Sequence, residues 1–179
     1  APHFVEMGHT QPTMQPDDVK EKIEDLARRA VLAVGINIGP AHVEMILTKQ
    51  GPKMVELGAR MGGDCITTHL VPLSTGIDMI KATIDVSLGQ TPDITPSLHK
   101  GSAIRFLDAE NGVITAIEGI EEAKKLDGVL EISLTKCIGD EVGDIHSSLD
   151  RCGFVIAQRD SATEAIEVCE KVKHIINIL

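Results

Sequence analysis

Two alternating runs, residues 41–48 and 53–60, flank Lys49-Gln50-Gly51, and this arrangement limits the possible folds more than any other feature of the chain. Each run reads as a strand and the Gly-containing triplet as a turn, so together they predict a β-hairpin. Strand side chains alternate between two faces with period 2. On the first strand Val43, Met45 and Leu47 share one face, and His42 and Glu44 the other. On the second, Met54, Glu56, Gly58 and Arg60 share a face, opposite Val55, Leu57 and Ala59. A three-residue turn centred on Gln50 sets Glu44 directly across the ladder from Glu56. Their Cβ atoms then stand about 5 Å apart, where like charges destabilise unless something positive lies between them. A hard divalent cation resolves that conflict, and magnesium characteristically takes one or two carboxylates plus substrate phosphates. Arg60 adds a fork for carboxylate or phosphate, and Gly58 leaves room for a ligand over the strand. A solvated hairpin face with two surface Glu and one Arg accounts for the same residues, and another turn at Gly51 would slip the pair.

The rest of the chain supplies a mixed framework. His3–Met7 reads as a short strand broken by Gly8-His9-Thr10-Gln11-Pro12. Pro16-Asp17-Asp18 opens a helix whose apolar face is Val19, Ile23, Leu26, Ala27, Ala30 and Val34, ended by Gly35. His69–Leu73 and Ile77–Leu88 are predicted helical, the latter through Ile77, Ile80, Ile84 and Leu88. Gly89-Gln90-Thr91-Pro92 and Pro96 mark a boundary, giving pieces 1–92 and 93–179. Beyond it Ala103–Leu107, Gly112–Glu118, Val129–Thr135 and Phe154–Ala157 read as strands and Ile120–Leu126 as a short helix. Ser161 caps a last helix with Ala165, Ile166, Cys169, Val172 and Ile176 on one face. Asp140–Asp150 reads as an acidic solvated loop without EF-hand spacing.

Composition narrows the function. Only three Phe and no Tyr or Trp are present among 179 residues, so the core must be aliphatic. A net charge of −10 and the lack of aromatic stacking platforms argue against nucleic acid as a partner. Residues 1–92 carry 8 basic and 11 acidic side chains, residues 93–179 carry 9 and 16, so an anionic substrate fits better in the first piece. No apolar run reaches the roughly 18 residues of a membrane span. Cys65, Cys137, Cys152 and Cys169 are scattered without a CxxC pair and read as reduced intracellular thiols, buried as small hydrophobes. His42, His69 and Cys65 lack metal-ligand spacing and read as structural. The opening Ala1-Pro2-His3-Phe4, with no Met and no signal peptide, leads us to expect a piece of something longer.

Glu44 and Glu56, with Arg60 four residues after the second, resemble the metal-binding end of the ATP-grasp ligases. Glu56-Leu-Gly-Ala-Arg60-Met-Gly-Gly-Asp64 and Thr75-Gly76-Ile77-Asp78 are similar to the carboxylate–amine and L-amino-acid ligase branch, as is Glu6-Met-Gly-His9 with Pro12. The resemblance implies an α+β fold: the C-terminal half of an ATP-grasp domain (antiparallel sheet with helices) over 1–92, plus a small α+β C-terminal subdomain over 93–179. It implies a cytoplasmic enzyme that uses ATP and Mg²⁺ (or Mn²⁺) to phosphorylate a substrate carboxylate, after which an amine attacks the acyl phosphate. Glu44 and Glu56 would hold the metal on the ATP phosphates, and Arg60 would brace the acyl phosphate or the substrate carboxylate. Gly62 and Gly63 would let backbone approach the reacting groups, Glu6 would hold a substrate ammonium, and His9 would contact the phosphorylated intermediate. Asp64 is equally suited to capping its loop. The nucleotide-holding lysines and glycine-rich loop of the family precede the matching segment, so the missing N-terminal part of the same enzyme is an expected partner. The small carboxylate and amine substrates are further expected partners, as is a second copy of the chain. A biotin-carboxylase-like or carbamoyl-phosphate-synthase-like enzyme is the alternative, disfavoured because Gly58 stands where many ATP-grasp enzymes carry a metal-touching Asn. A non-catalytic binding or oligomerisation module is the third reading.

Overall fold

In a computed structural model, which describes residues 4–179, helices alternate with antiparallel strands as an α+β chain of two units. The first unit comprises the segment up to Pro12 together with Leu98–Leu179, and the second is Thr13–Ser97. The sequence boundary at 92/93 lies close to this break. The opening segment, however, joins residues 98–179 because its strand β1 (Gly8–Gln11) pairs antiparallel with β4 (Gly101–Leu107). The expected strand over 3–7 is not formed at residues 4–7, and His3 lies outside the described residues. Gly8 opens the strand instead of breaking it. A Cβ there would stand 2.6 Å from Cδ of Arg105, whose side chain crosses at that point.

In the Thr13–Ser97 unit, α1 (Asp17–Ala33) carries Asp17 and Asp18 in its first turn, where the helix dipole favours acids. Its half-buried face is Val19, Ile23, Leu26, Ala27 and Ala30, as the periodicity predicts, while Val34 falls beyond the helix and is exposed. The helix packs on β3 (Gly51–Gly58), which forms the hairpin with β2 (His42–Thr48). A π-helical turn at Ile66–Leu70 runs into α2 (Val71–Thr75). Helix α3 (Met79–Ser87) is capped by Asp78, whose side chain accepts from the Lys81 N–H at 2.8 Å. Ile77 and Leu88 lie just outside α3, and Ile80 and Ile84 are exposed instead of forming a buried face.

The Leu98–Leu179 unit is built on a sheet of order β1-β4-β9-β7, with β7 at Val129–Leu134 and β9 at Gly153–Arg159, all neighbours antiparallel. Helix α5 (Ala162–Ile175) packs across β4 and β9. Its start approaches β4 so closely that a Cβ on Gly101 would lie 2.1 Å from the Ser161 carbonyl, which only glycine tolerates. Ser161 forms the expected cap, extended to a capping box with Glu164. The core is aliphatic, with Ala103, Val155, Ala157, Ala165, Cys169 and Val172 buried. All described hydrophobic residues that are fully buried belong to this unit, except Leu70 and Ala82.

Between these main strands the sequence reading needs correction. Gly112–Glu118 is not one strand but two short ones, β5 (Gly112–Val113) and β6 (Ile117–Glu118). The backbone N–H groups of Thr115 and Ala116 between them donate to the Leu179 carbonyl. The helix expected over 120–126 is the single turn α4 (Ile120–Ala123). The acidic loop contains β8 (Glu141–Val142), paired with β5, and a 3₁₀ turn at Ser148–Asp150. The chain closes with β10 (Asn177–Ile178), paired with β6. Asp140 and Asp150 accept backbone N–H groups, which hold both carboxyls below the usual range. Of the cysteines, only Cys152 and Cys169 are buried; Cys137 is exposed and donates to Asp140 at 3.3 Å.

Candidate active site

The hairpin sets Glu44 opposite Glu56, by a different route from the one expected. The loop holds two residues, not three: Thr48 pairs with Gly51 across Lys49-Gln50, and the Thr48 hydroxyl accepts from the Gln50 N–H at 3.1 Å. A regular ladder from that turn would place Glu44 opposite Val55. A β-bulge intervenes, so that Met45 pairs with Met54 and Glu44 with Glu56, leaving Val55 as the extra residue. The bulge also transfers Met54 to the Met45 face, away from Glu56, contrary to strict alternation.

Arg60 lies two residues beyond the end of β3 and reaches back along it. Its Nη2 is 3.3 Å from Glu56 Oε1, and its Nη1 donates to the Met61 carbonyl at 3.1 Å. The stem runs close over Gly58, where a Cβ would stand 3.3 Å from Arg60 Cγ, a tight contact. The space predicted over Gly58 is therefore used by the arginine stem. Both partners of the ion pair are about half exposed, at 52% and 59%, so water screens it and its contribution to stability is small. Two carboxylates across a ladder with one arginine at their edge form a partly offset anionic pair. Among the described residues no group of three His, Cys, Asp or Glu forms a metal cluster. The pair supplies hard oxygen donors but not a complete ligand set, which fits a cation that keeps other oxygens.

Gly62 packs against His42, whose Nδ1 would lie 2.9 Å from a Cβ, while a Cβ on Gly63 would meet nothing within 4 Å. The Gly62 and Gly63 carbonyls are held by the Thr67 hydroxyl at 3.0 Å and the Ile66 N–H at 2.8 Å. Asp64 and Cys65 follow with φ of 48° and 61°, a left-handed pair of non-glycine residues that turns the loop into the π-helical segment.

Glu6 and His9 belong to the Leu98–Leu179 unit. His9 sits on β1 opposite Ile104, with its ring edge-on to Phe106 at 6.2 Å. The Glu6 carbonyl accepts from Arg151 Nη2 at 2.5 Å. Arg105 donates to the His9 carbonyl at 3.1 Å and to the Thr10 hydroxyl at 3.2 Å, while its Nε pairs with Glu170 at 2.8 Å. The structure thus joins Glu6 and His9 through Arg151 and Phe106, which sequence reasoning missed. Arg105 had a visible signal, a charge inside the apolar run 101–107; Arg151, outside any periodic segment, had none.

Residues 105–178 match the L-amino acid ligase C-terminal domain 2. The chain is 32% identical over 136 residues to an L-arginine-specific L-amino acid ligase of Bacillus subtilis, a match covering 75% of this chain and 33% of that protein. A phosphoribosylglycinamide synthetase from Anaerococcus prevotii superposes with a TM-score of 0.84 at 25% identity, over 98% of this chain and 45% of the other. An L-amino acid ligase from Bacillus licheniformis superposes with a TM-score of 0.85 at 24% identity, over 99% and 45%. The chain thus spans about a third of the length of the Bacillus subtilis relative and less than half of each solved structure.

Proposed function

This chain is an ATP-grasp segment of the carboxylate–amine and L-amino acid ligase branch, and on that premise we propose that it serves an ADP-forming ligase that joins an amino acid to an amine through an acyl phosphate. The observation that carries the reading is the Glu44–Glu56 pair with Arg60 at its edge. The two carboxylates would hold Mg²⁺ or Mn²⁺, with the remaining coordination left to phosphate oxygens and water. Bound there, the metal would screen the charge on the phosphates of ATP.

The chemistry is then positioning and charge neutralisation. A carboxylate oxygen of the amino acid attacks the γ-phosphorus, ADP leaves, and Arg60 braces the transferred phosphoryl group or the carboxylate that receives it. Glu6 holds the substrate ammonium and His9 contacts the phosphorylated intermediate. The amine attacks the acyl carbon, the carbon–oxygen bond to phosphate breaks, and the amine's proton is lost as the amide forms. Gly63, with open space where a side chain would stand, suits close approach of the reacting groups. The nucleotide-clamping residues come from the remainder of the enzyme, and dependence on ATP suits a cytoplasmic setting. Among the described residues no helix is long and apolar enough to cross a membrane. The biotin-carboxylase-like alternative is disfavoured because Gly58 stands where many ATP-grasp enzymes carry a metal-touching Asn, and the similarity to L-amino acid ligases supports the ligase reading.

Isotope transfer tests the reaction directly. With an amino acid labelled by ¹⁸O in its carboxylate, the full-length enzyme is expected to release phosphate carrying one ¹⁸O per amide formed. Unlabelled phosphate alongside amide formation would exclude the acyl phosphate.

A further inference from the structure

Arg151 is a buried cation with no assigned role. It lies between the 3₁₀ turn and β9, and its side chain is 5% exposed. Its guanidinium carbon stands 3.7 Å from the centroid of the Phe106 ring, in cation–π range. Its Nη2 donates to the Glu6 carbonyl at 2.5 Å and lies 3.9 Å from the Glu6 carboxylate. The Arg151 carbonyl accepts from the Thr135 hydroxyl at 2.6 Å, which ties this segment to the end of β7. Phe106 is edge-on to both His9 at 6.2 Å and Phe154 at 6.4 Å.

A buried arginine is an expensive way to fill space, since an apolar side chain of similar volume serves as well or better. What it adds is geometry. The separation of 3.9 Å is too long for a charge-assisted hydrogen bond to the Glu6 carboxylate. The hydrogen bond goes to the backbone instead, and the carboxylate stays about half exposed, at 53%. One planar group therefore fixes the Glu6 main chain directly and the His9 ring through Phe106. Lysine cannot replace it, because an ammonium does not stack on a ring while bonding in the plane.

We infer that Arg151 is a positioning residue of the amino-acid subsite, acting on Glu6 by a backbone bond and on His9 through the Phe106 ring. The inference rests on the proposed ligase reading, in which Glu6 and His9 line that subsite. The test is steady-state kinetics of the full-length enzyme with Arg151→Lys, Phe106→Leu and Glu6→Gln, with thermal melting to confirm folding. Arg151→Lys is expected to raise KM for the amino acid about tenfold and change KM for ATP less than about twofold. Phe106→Leu gives the same split, and the Arg151→Lys, Glu6→Gln double variant is less than additive. An unchanged amino-acid KM in Arg151→Lys, or an equal rise in both KM values, overturns the inference while leaving the ligase reading intact. Should Arg151→Lys fail to fold, Phe106→Leu decides by the same criteria. An unchanged amino-acid KM in Glu6→Gln overturns the reading of the subsite itself.

Discussion

In the proposed reading, Arg60 contributes to function and little to stability. Its ion pair with Glu56 is half exposed, so Arg60→Met is expected to change stability by less than about 1 kcal/mol. Loss of a donor aimed at developing charge costs about 10²–10³ in kcat, so the same variant is expected to melt normally and turn over poorly. Matched loss of stability and activity would make Arg60 a structural residue. Cys169 gives a second test. Burial pushes its thiol up to about 12, against an ordinary value near 9. The folded state thus keeps its proton more tightly than the unfolded state does. The associated stability is complete below about pH 9 and is lost between there and about pH 12. Cys169→Ala should flatten the fall in melting temperature over that window. Glu44 and Glu56 were legible as residues of two facing strands, but their exact pairing is reached only because the shorter turn and the bulge offset each other. Arg151 was not legible, because a buried cation in an irregular segment leaves no periodic trace.

Register is where sequence reading was least secure at the scale of elements. A two-residue turn and a bulge at Val55 together give the Glu44–Glu56 pairing that a three-residue turn with a regular ladder would give. The two departures cancel at the acids, but not at Met54, whose face they reverse. Val55 suits regular alternation as well as a bulge, so no residue type announced the extra position. Nuclear Overhauser contacts distinguish the ladders: the bulged one places Met45 against Met54 and Glu44 against Glu56, whereas Met45 against Val55 would mean a three-residue turn with a regular ladder and Glu44 against Val55 a two-residue turn without a bulge. Capping was easier to read. Ser161 and Glu164 stand three apart before an apolar face, and both halves of the capping box form. Ser161→Ala is expected to cost about 1 kcal/mol in chemical denaturation; an unchanged midpoint would mean that the cap contributes nothing.

At the scale of the whole molecule, buried apolar residues are unevenly placed. The Leu98–Leu179 unit holds the closed aliphatic core, while Leu32, Ile46, Val55 and Ile84 of the Thr13–Ser97 unit remain exposed. Periodicity located those helices and strands, but it cannot say whether a partner surface lies within the same chain. Amide exchange in the 179-residue chain is expected to be faster in Thr13–Ser97 than in Leu98–Leu179. Because the chain spans only a third of its Bacillus subtilis relative, we expect no ligation from these residues alone. The most direct test of the proposed metal site is amino-acid-dependent phosphate release by the full-length enzyme across a Mg²⁺ titration, for the wild type, Glu44→Gln and Glu56→Gln. Each variant is expected to lose about 10²–10³ in kcat and to need more Mg²⁺. Wild-type rates at the same Mg²⁺ concentration in both variants would contradict the proposed site.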